Sequence, residues 1–232
     1  MSEEVATPAA HAGLERRDLV HLLARRLHSL TGVVPIGAFL VEHLYSNYQA
    51  VGPGGPARFD TVVKDLQTNP VIIWAEIFAI GVPILYHAIY GLFIAAQART
   101  NTLAYRYGAN WRFLLQRISG VFLILYIAYH VWMTRLRPVF SPQSFAGSQG
   151  LITYDYMHGY LNESLLGVPT WIFYGLGVLA ACYHFANGLW GFLIHWGITV
   201  GPRAQKLSAY ACAALGIILA ALGLNALYAF MA

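Results

Sequence analysis

The sequence predicts an all-α fold: a polytopic membrane protein with five transmembrane helices, its N-terminus inside and its C-terminus outside. Composition is the first reason. Hydrophobic residues make up 58% of the chain and charged residues 10%, with a mean hydropathy of +0.54, whereas soluble chains run nearer a quarter charged. The second reason is a set of five apolar runs, at about 29–50, 71–97, 113–135, 168–197 and 206–231, each long enough to span roughly 30 Å of hydrocarbon. The third is that His43, His87, His130 and His184 lie deep inside the first four of these runs.

Several function classes fall away at once. Cys182 and Cys212 both sit in apolar runs, which offers no disulfide framework and no zinc motif. No charged-then-apolar-then-cleavage pattern opens the chain, so no removable signal peptide is expected. No phosphate loop, dinucleotide fingerprint or nucleic-acid-binding stretch occurs; the expected surroundings are membrane lipid, with no nucleic acid.

In chain order, residues 1–28 form a cytoplasmic N-terminal unit, a flexible polar tail followed by a surface helix. Leu14–Leu27 has apolar residues at helical spacing together with Arg16, Arg17, Arg25 and Arg26, which suits a helix lying on the membrane. Residues 29–232 form a single five-helix domain. The loops VGPGGPARFD, RTNTLAYRYGANWR, RPVFSPQSFAGSQG and TVGPRAQK separate the spans, and the third is long enough to add a surface helix near Tyr154–Glu163.

Basic residues set the orientation. The N-terminus and the second and fourth loops hold Arg16, Arg17, Arg25, Arg26, Arg99, Arg106, Arg112, Arg117, Arg203 and Lys206; the other side holds only Arg58, Lys64, Arg135 and Arg137. The heavier side is cytoplasmic.

Depth follows from a rise of about 1.5 Å per residue. His43 and His130, on helices rising from inside, stand roughly 20 Å up; His87 and His184, on descending helices, lie roughly 25 Å down, near the inner surface. The four therefore sort into two levels, each built by two helices. Gly91 and Gly188 follow His87 and His184 by one helical turn, on the same face. The levels differ by about 16 Å, roughly eleven residues. Counting back that far from His43 and His130 gives Gly32 and Gly120, facing the inner level, and from His87 gives Glu76, facing the outer one. Arg26–Gly32 before His43 weakly resembles Arg117–Gly120 before His130, as if two helical hairpins each gave one member of each pair.

Ionisable groups inside spans are costly and mark a cavity, a partner or a cofactor. A lone intramembrane histidine is usually bonded to a neighbouring helix. Four at two matched levels fit two haems, each held by two imidazoles and each flanked by small residues where the ring lies flat. Such ligation leaves iron no open position, which means electron transfer rather than oxygen activation. Each ligand should be a neutral imidazole with its second nitrogen bonded to a carbonyl or hydroxyl.

Arg26, His28, Ser29, Arg117 and Ser119 gather at the inner mouth, where haem propionates would end; the plainer reading of Arg26 and Arg117 is an ordinary positive-inside flank, and for His28 a propionate or interface contact stands against surface decoration. His195 gets the same two readings. His11, His21 and His158 are expected to be solvent-side and structural. Glu76 reads as the one carboxylate well inside a span. It is either kept neutral by burial, bonded to a nearby helix, or a proton donor and acceptor for a quinone at the outer haem. Asp60 and Asp65 are weaker candidates for that last role.

The stretches RRLHSLTGVVPIGAFLVEHL, EIFAIGVPILYHAIYG, LQRISG, YHVW and YHFANGLWGFLIHWGITVGPR, with the five-helix layout, resemble the succinate dehydrogenase cytochrome b558 subunits. These are single-chain dihaem membrane anchors of succinate:quinone oxidoreductases, and the resemblance runs from about Arg25 onward. It implies haem b at His87/His184 (proximal) and at His43/His130 (distal). It also implies flavoprotein and iron–sulfur partner subunits on the inner face, and menaquinone as the substrate. Succinate oxidation would reside on the flavoprotein. One departure stands out. Fumarate-reducing members carry a glutamate two residues before the last ligand, where this chain has Cys182, so that proton path does not carry over and succinate oxidation is favoured. The rival readings are a cytochrome b anchor for another dehydrogenase or a hydrogenase, and a haem-free transporter whose histidines bind protons or substrate.

Overall fold

The computed structural model describes residues 8–99, 102 and 104–232, with side chains from Arg16 onward except Arg17. The first seven residues of the expected tail, the side chain of His11, and Thr100, Asn101 and Leu103 of the second loop lie outside the described residues. The described chain is helical nearly throughout, and five helical stretches are long and apolar enough to cross a membrane: Asp18–Tyr48, Pro70–Ala96, Gly108–Phe140, Thr170–His195 and Pro202–Met231.

Proline shapes the first three spans. The first is α1 (Pro8–Val33) continued by α2 (Pro35–Tyr48), with Val34 still helical between them. Pro35 has no N–H for the carbonyl of Thr31, which interrupts the ladder without ending the helix. The expected boundary at residues 28 and 29 falls inside α1. The second span is α4 (Pro70–Ala75), a π-helical turn (Glu76–Gly81) and α5 (Val82–Ala96). The third is α6 (Gly108–Val131), a second π turn (Trp132–Leu136) and α7 (Arg137–Phe140). Each π turn ends two residues before a proline, Pro83 and Pro138. A proline ring collides with the carbonyl four residues back, and a widened turn moves that carbonyl aside.

The fourth and fifth spans are uninterrupted, α9 (Thr170–His195) and α10 (Pro202–Met231). They pack together through small residues: a Cβ at Gly216 would stand 2.7 Å from Ala186 Cβ, and one at Gly223 2.7 Å from a Val178 methyl. In lipid, where apolar side chains gain nothing by leaving water, such close backbone approach is what associates helices. Around this pair, α1 packs on α5 and α9, α6 on α9, and α2 on α10. The chain enters the bundle at what is called here the near end.

The far end is capped. Gly55–Thr68, expected as a loop, is a helix, α3; Pro56 opens it, and Phe59, Val63 and Leu66 fall on one face. A 3₁₀ stretch (Pro142–Ser148) and α8 (Tyr154–Asn162) follow in the third loop, with a two-residue hairpin, β1 (Ser164–Leu165) against β2 (Val168–Pro169). Phe59, Phe145, Met157, Tyr160 and Leu161 pack against Tyr174 and Phe230 in the largest buried cluster. Asp60 Oδ1 accepts from the Tyr154 N–H at 2.7 Å, and the Tyr154 hydroxyl donates to the Ala229 carbonyl at 2.6 Å. Asp60 therefore ties α3 to the third loop.

Candidate functional site

Four spans deliver the four histidines in two pairs. At the near end, His87 on α5 and His184 on α9 have ring centres 6.2 Å apart with planes at 80°. Toward the far end, His43 on α2 and His130 on α6 have centres 5.6 Å apart with planes at 81°. The second and fourth spans make one pair, the first and third the other.

At the near pair both outer nitrogens are bound by backbone. His87 Nδ1 lies 2.9 Å from the His28 carbonyl, and His184 Nδ1 lies 3.1 Å from the Gln116 carbonyl. A neutral imidazole bonded this way carries its proton on Nδ1 and leaves Nε2 free as a donor to metal. Ser119 Oγ stands 3.1 Å from the same His184 Nδ1 and donates to the Gln116 carbonyl at 3.1 Å. Ser119 thus touches the histidine itself. The His28 ring stacks on His87, 4.0 Å between centres and 12° between planes.

Two glycines admit these rings. A Cβ at Gly32 would stand 2.5 Å from His87 Cε1, and one at Gly120 2.9 Å from His184 Cε1. Gly91 lies against the His28 ring and Gly188 against the Gln116 amide, with Cβ contacts of 3.1 and 3.3 Å.

The far pair is held by side chains instead. His130 Nδ1 lies 3.2 Å from the Tyr174 hydroxyl, and the Asn47 amide approaches His43 Nε2 at 3.4 Å while donating to the His43 carbonyl at 2.7 Å. Glu42, exposed beside His43, bonds Ser46 one turn on.

Glu76 stands half-buried in the second span. It opens the first π turn, its side chain is 32% exposed, and Oε2 pairs with Arg135 of the second π turn at 2.6 Å. Of the expected settings this is the bond to a nearby helix rather than a buried carboxyl, because the third span offers a guanidinium at that height. Nor is Glu76 the one carboxylate within a span, since Glu42 lies in the first. It escaped notice because it sits where the run merges with the polar far-end loop.

The near rim gathers some expected residues and not others. Ser29 Oγ donates to the Arg26 carbonyl and accepts from Trp196 Nε1 at 3.1 Å, and Arg26 lies 5.6 Å from the Trp196 ring centre. Arg117 folds over the Phe113 ring at 3.2 Å, with its Nε buried and unpartnered. His195 and His158 are exposed, His158 Nδ1 bonding the Phe230 carbonyl; His21 stacks on Phe93.

The donor set suits an iron porphyrin. Two metal–nitrogen bonds of about 2 Å, plus the reach to each ring centre, separate facing imidazoles by roughly 6 Å. The near pair meets that separation and the far pair falls just short of it.

Residues 96–223 match the family described as succinate dehydrogenase/fumarate reductase transmembrane subunit. Over 208 residues the chain is 38% identical to the succinate dehydrogenase cytochrome b558 subunit of Bacillus subtilis (strain 168), covering 89% of this chain and 96% of that protein.

Proposed function

The chain belongs to the family of succinate dehydrogenase/fumarate reductase transmembrane subunits, and on that premise we propose that it is the dihaem cytochrome b anchor of a succinate:menaquinone oxidoreductase. It lies in the cytoplasmic membrane with its N-terminus and near end inside. The observation that carries the reading is the double pairing of imidazoles across four helices, at 6.2 and 5.6 Å.

Haem b held by two imidazoles supplies one-electron transfer with no open iron position. His87 and His184 hold the near group, His43 and His130 the far one. The carbonyls of His28 and Gln116 fix the tautomer of the near imidazoles, with Nε2 left free, and Tyr174 orients His130. Gly32 and Gly120 let the near rings seat between helices. Arg26, His28, Ser29 and Arg117 face the propionate end, and the basic near rim receives the iron–sulfur subunit, with the flavoprotein beyond it. Glu76, held by Arg135 through Oε2, exchanges a proton with a quinone at the far end. Protons taken from outside would let the membrane potential assist the reaction, by about 2.3 kcal/mol per charge for each 100 mV.

The test is a reduced-minus-oxidised spectrum with a haem count on the purified chain. Two haems b per chain are expected, with His87→Leu and His184→Leu removing one and His43→Leu and His130→Leu the other. A chain without a b-type band, or losses that pair the histidines differently, would overturn the reading.

A further inference from the structure

Between α6 and α9, Gln116 makes three hydrogen bonds, two of them to His184. The Gln116 carbonyl accepts a hydrogen bond from His184 Nδ1 at 3.1 Å. Its side-chain Nε2 donates to the His184 carbonyl at 3.1 Å, and its Oε1 accepts from Asn187 Nδ2 at 2.8 Å. The His184 carbonyl sits within an α-helix, where the residue one turn on already bonds it, so the Gln116 amide is a second donor to that oxygen. Gly188 leaves room for this, since a Cβ there would stand 3.3 Å from Gln116 Nε2.

We propose that Gln116 is a positioning residue of the near site, whose side-chain amide, oriented by Asn187, fixes the height and ring plane of His184. This rests on the reading that His87 and His184 bind haem. The main-chain bond alone sets the tautomer of His184. It leaves the ring free to swing with the backbone of α9, whereas the amide pins that backbone to the same residue of α6. Asn187 Nδ2 occupies Oε1, which settles the amide orientation and turns Nε2 toward the carbonyl. Outer partners of this kind govern how tightly a metal-bound histidine holds. At the far pair the extra donors to the histidine carbonyls, Asn47 on His43 and Thr134 on His130 at 2.7 Å each, come from the same span as the histidine and tie no second helix to it.

Gln116→Met keeps length and volume but loses both side-chain bonds; Asn187→Ala removes only the orienting donor. Both keep the Gln116 carbonyl. Measured on the full dihaem chain, transfer of the near haem to an apo-haemoprotein scavenger should quicken about tenfold in Gln116→Met. The EPR signal of the haem held by His87 and His184 should shift as its ligand planes turn, while the far haem keeps its signal and transfer rate. Asn187→Ala should give a smaller change of the same kind, and Gln116→Glu should not restore the native signal because a carboxylate cannot donate. Near-haem transfer and EPR unchanged in Gln116→Met would overturn the proposal, as would equal changes at both haems. If Gln116→Met does not fold, an unchanged near haem in Asn187→Ala overturns it alone. Native protein without haem would instead sink the function proposed above.

Discussion

Glu76 and Arg135 join the two π turns of the bundle, carboxylate to guanidinium at 2.6 Å between the second and third spans. Both side chains are about one-third exposed, 32% and 35%, and pairs that wet stabilise a fold by about 1 kcal/mol or less. The pair is weak as glue. Its proposed use is to hold the carboxylate at the height where a quinone is protonated.

Glu76→Gln should therefore slow quinone reduction severalfold while leaving both haem spectra and the melting temperature nearly unchanged. Arg135→Gln should do the same by freeing the carboxylate. Steady-state quinone turnover beside thermal melting checks this, and wild-type turnover in Glu76→Gln would remove the residue from the reaction.

Gly32→Ala and Gly120→Ala each drive a methyl into the ring of His87 or His184, at 2.5 and 2.9 Å. In a close-packed interior such overlap costs about 1–3 kcal/mol. Both variants should lose or loosen the near haem and keep the far one. Haem counts and redox titration of each variant provide the check; equal loss at both levels would contradict the assignment.

Tyr174 is the hydrogen-bond partner of His130 Nδ1 and is itself buried. Tyr174→Phe removes the acceptor from a ligand imidazole, makes that ligand less basic, and so favours reduced iron. The far haem's midpoint potential should rise by roughly tens of millivolts, with the near haem unmoved. Potentiometric titration resolves the two.

Cys182 is 1% exposed and packed with Leu44 and Leu219 between α2, α9 and α10. A carboxylate in that apolar contact would be left without a partner, at a cost of several kcal/mol. Cys182→Glu should lower the melting temperature by several degrees or block assembly, whereas Cys182→Ala should lose about 1–2 kcal/mol. Fluorescence-monitored melting in detergent separates the cases, and a Glu variant as stable as Ala would show that a polar route reaches this position.

Spans and histidine pairs were legible because both depend on length along a helix, and the rise per residue converts sequence distance into depth. Features set by neighbours were not. Gly-Pro punctuation concealed α3, although Phe59, Val63 and Leu66 already mark its buried face. Gln116 and Asn187 are polar residues near a span's end, and nothing in their spacing reveals that they meet across two helices. Arg135 entered only as a charge to be counted, so its bond to Glu76 stayed hidden. Pro83 and Pro138 were visible, but a proline within a run indicates disruption and not the form that disruption takes.

Each π turn holds one residue more than an α-helix of the same rise, so each acts as a phase adjuster between the histidine and the far end of its helix. Excising a single residue from 76–81 or from 132–136 would turn the far segment by roughly 100° relative to the ligand on that helix. Glu76 and Arg135 would then face different neighbours while His87 and His130 kept their places. Relatives that differ by one residue at either point can therefore keep the same pairs of histidines and still present a different surface to whatever approaches the far end.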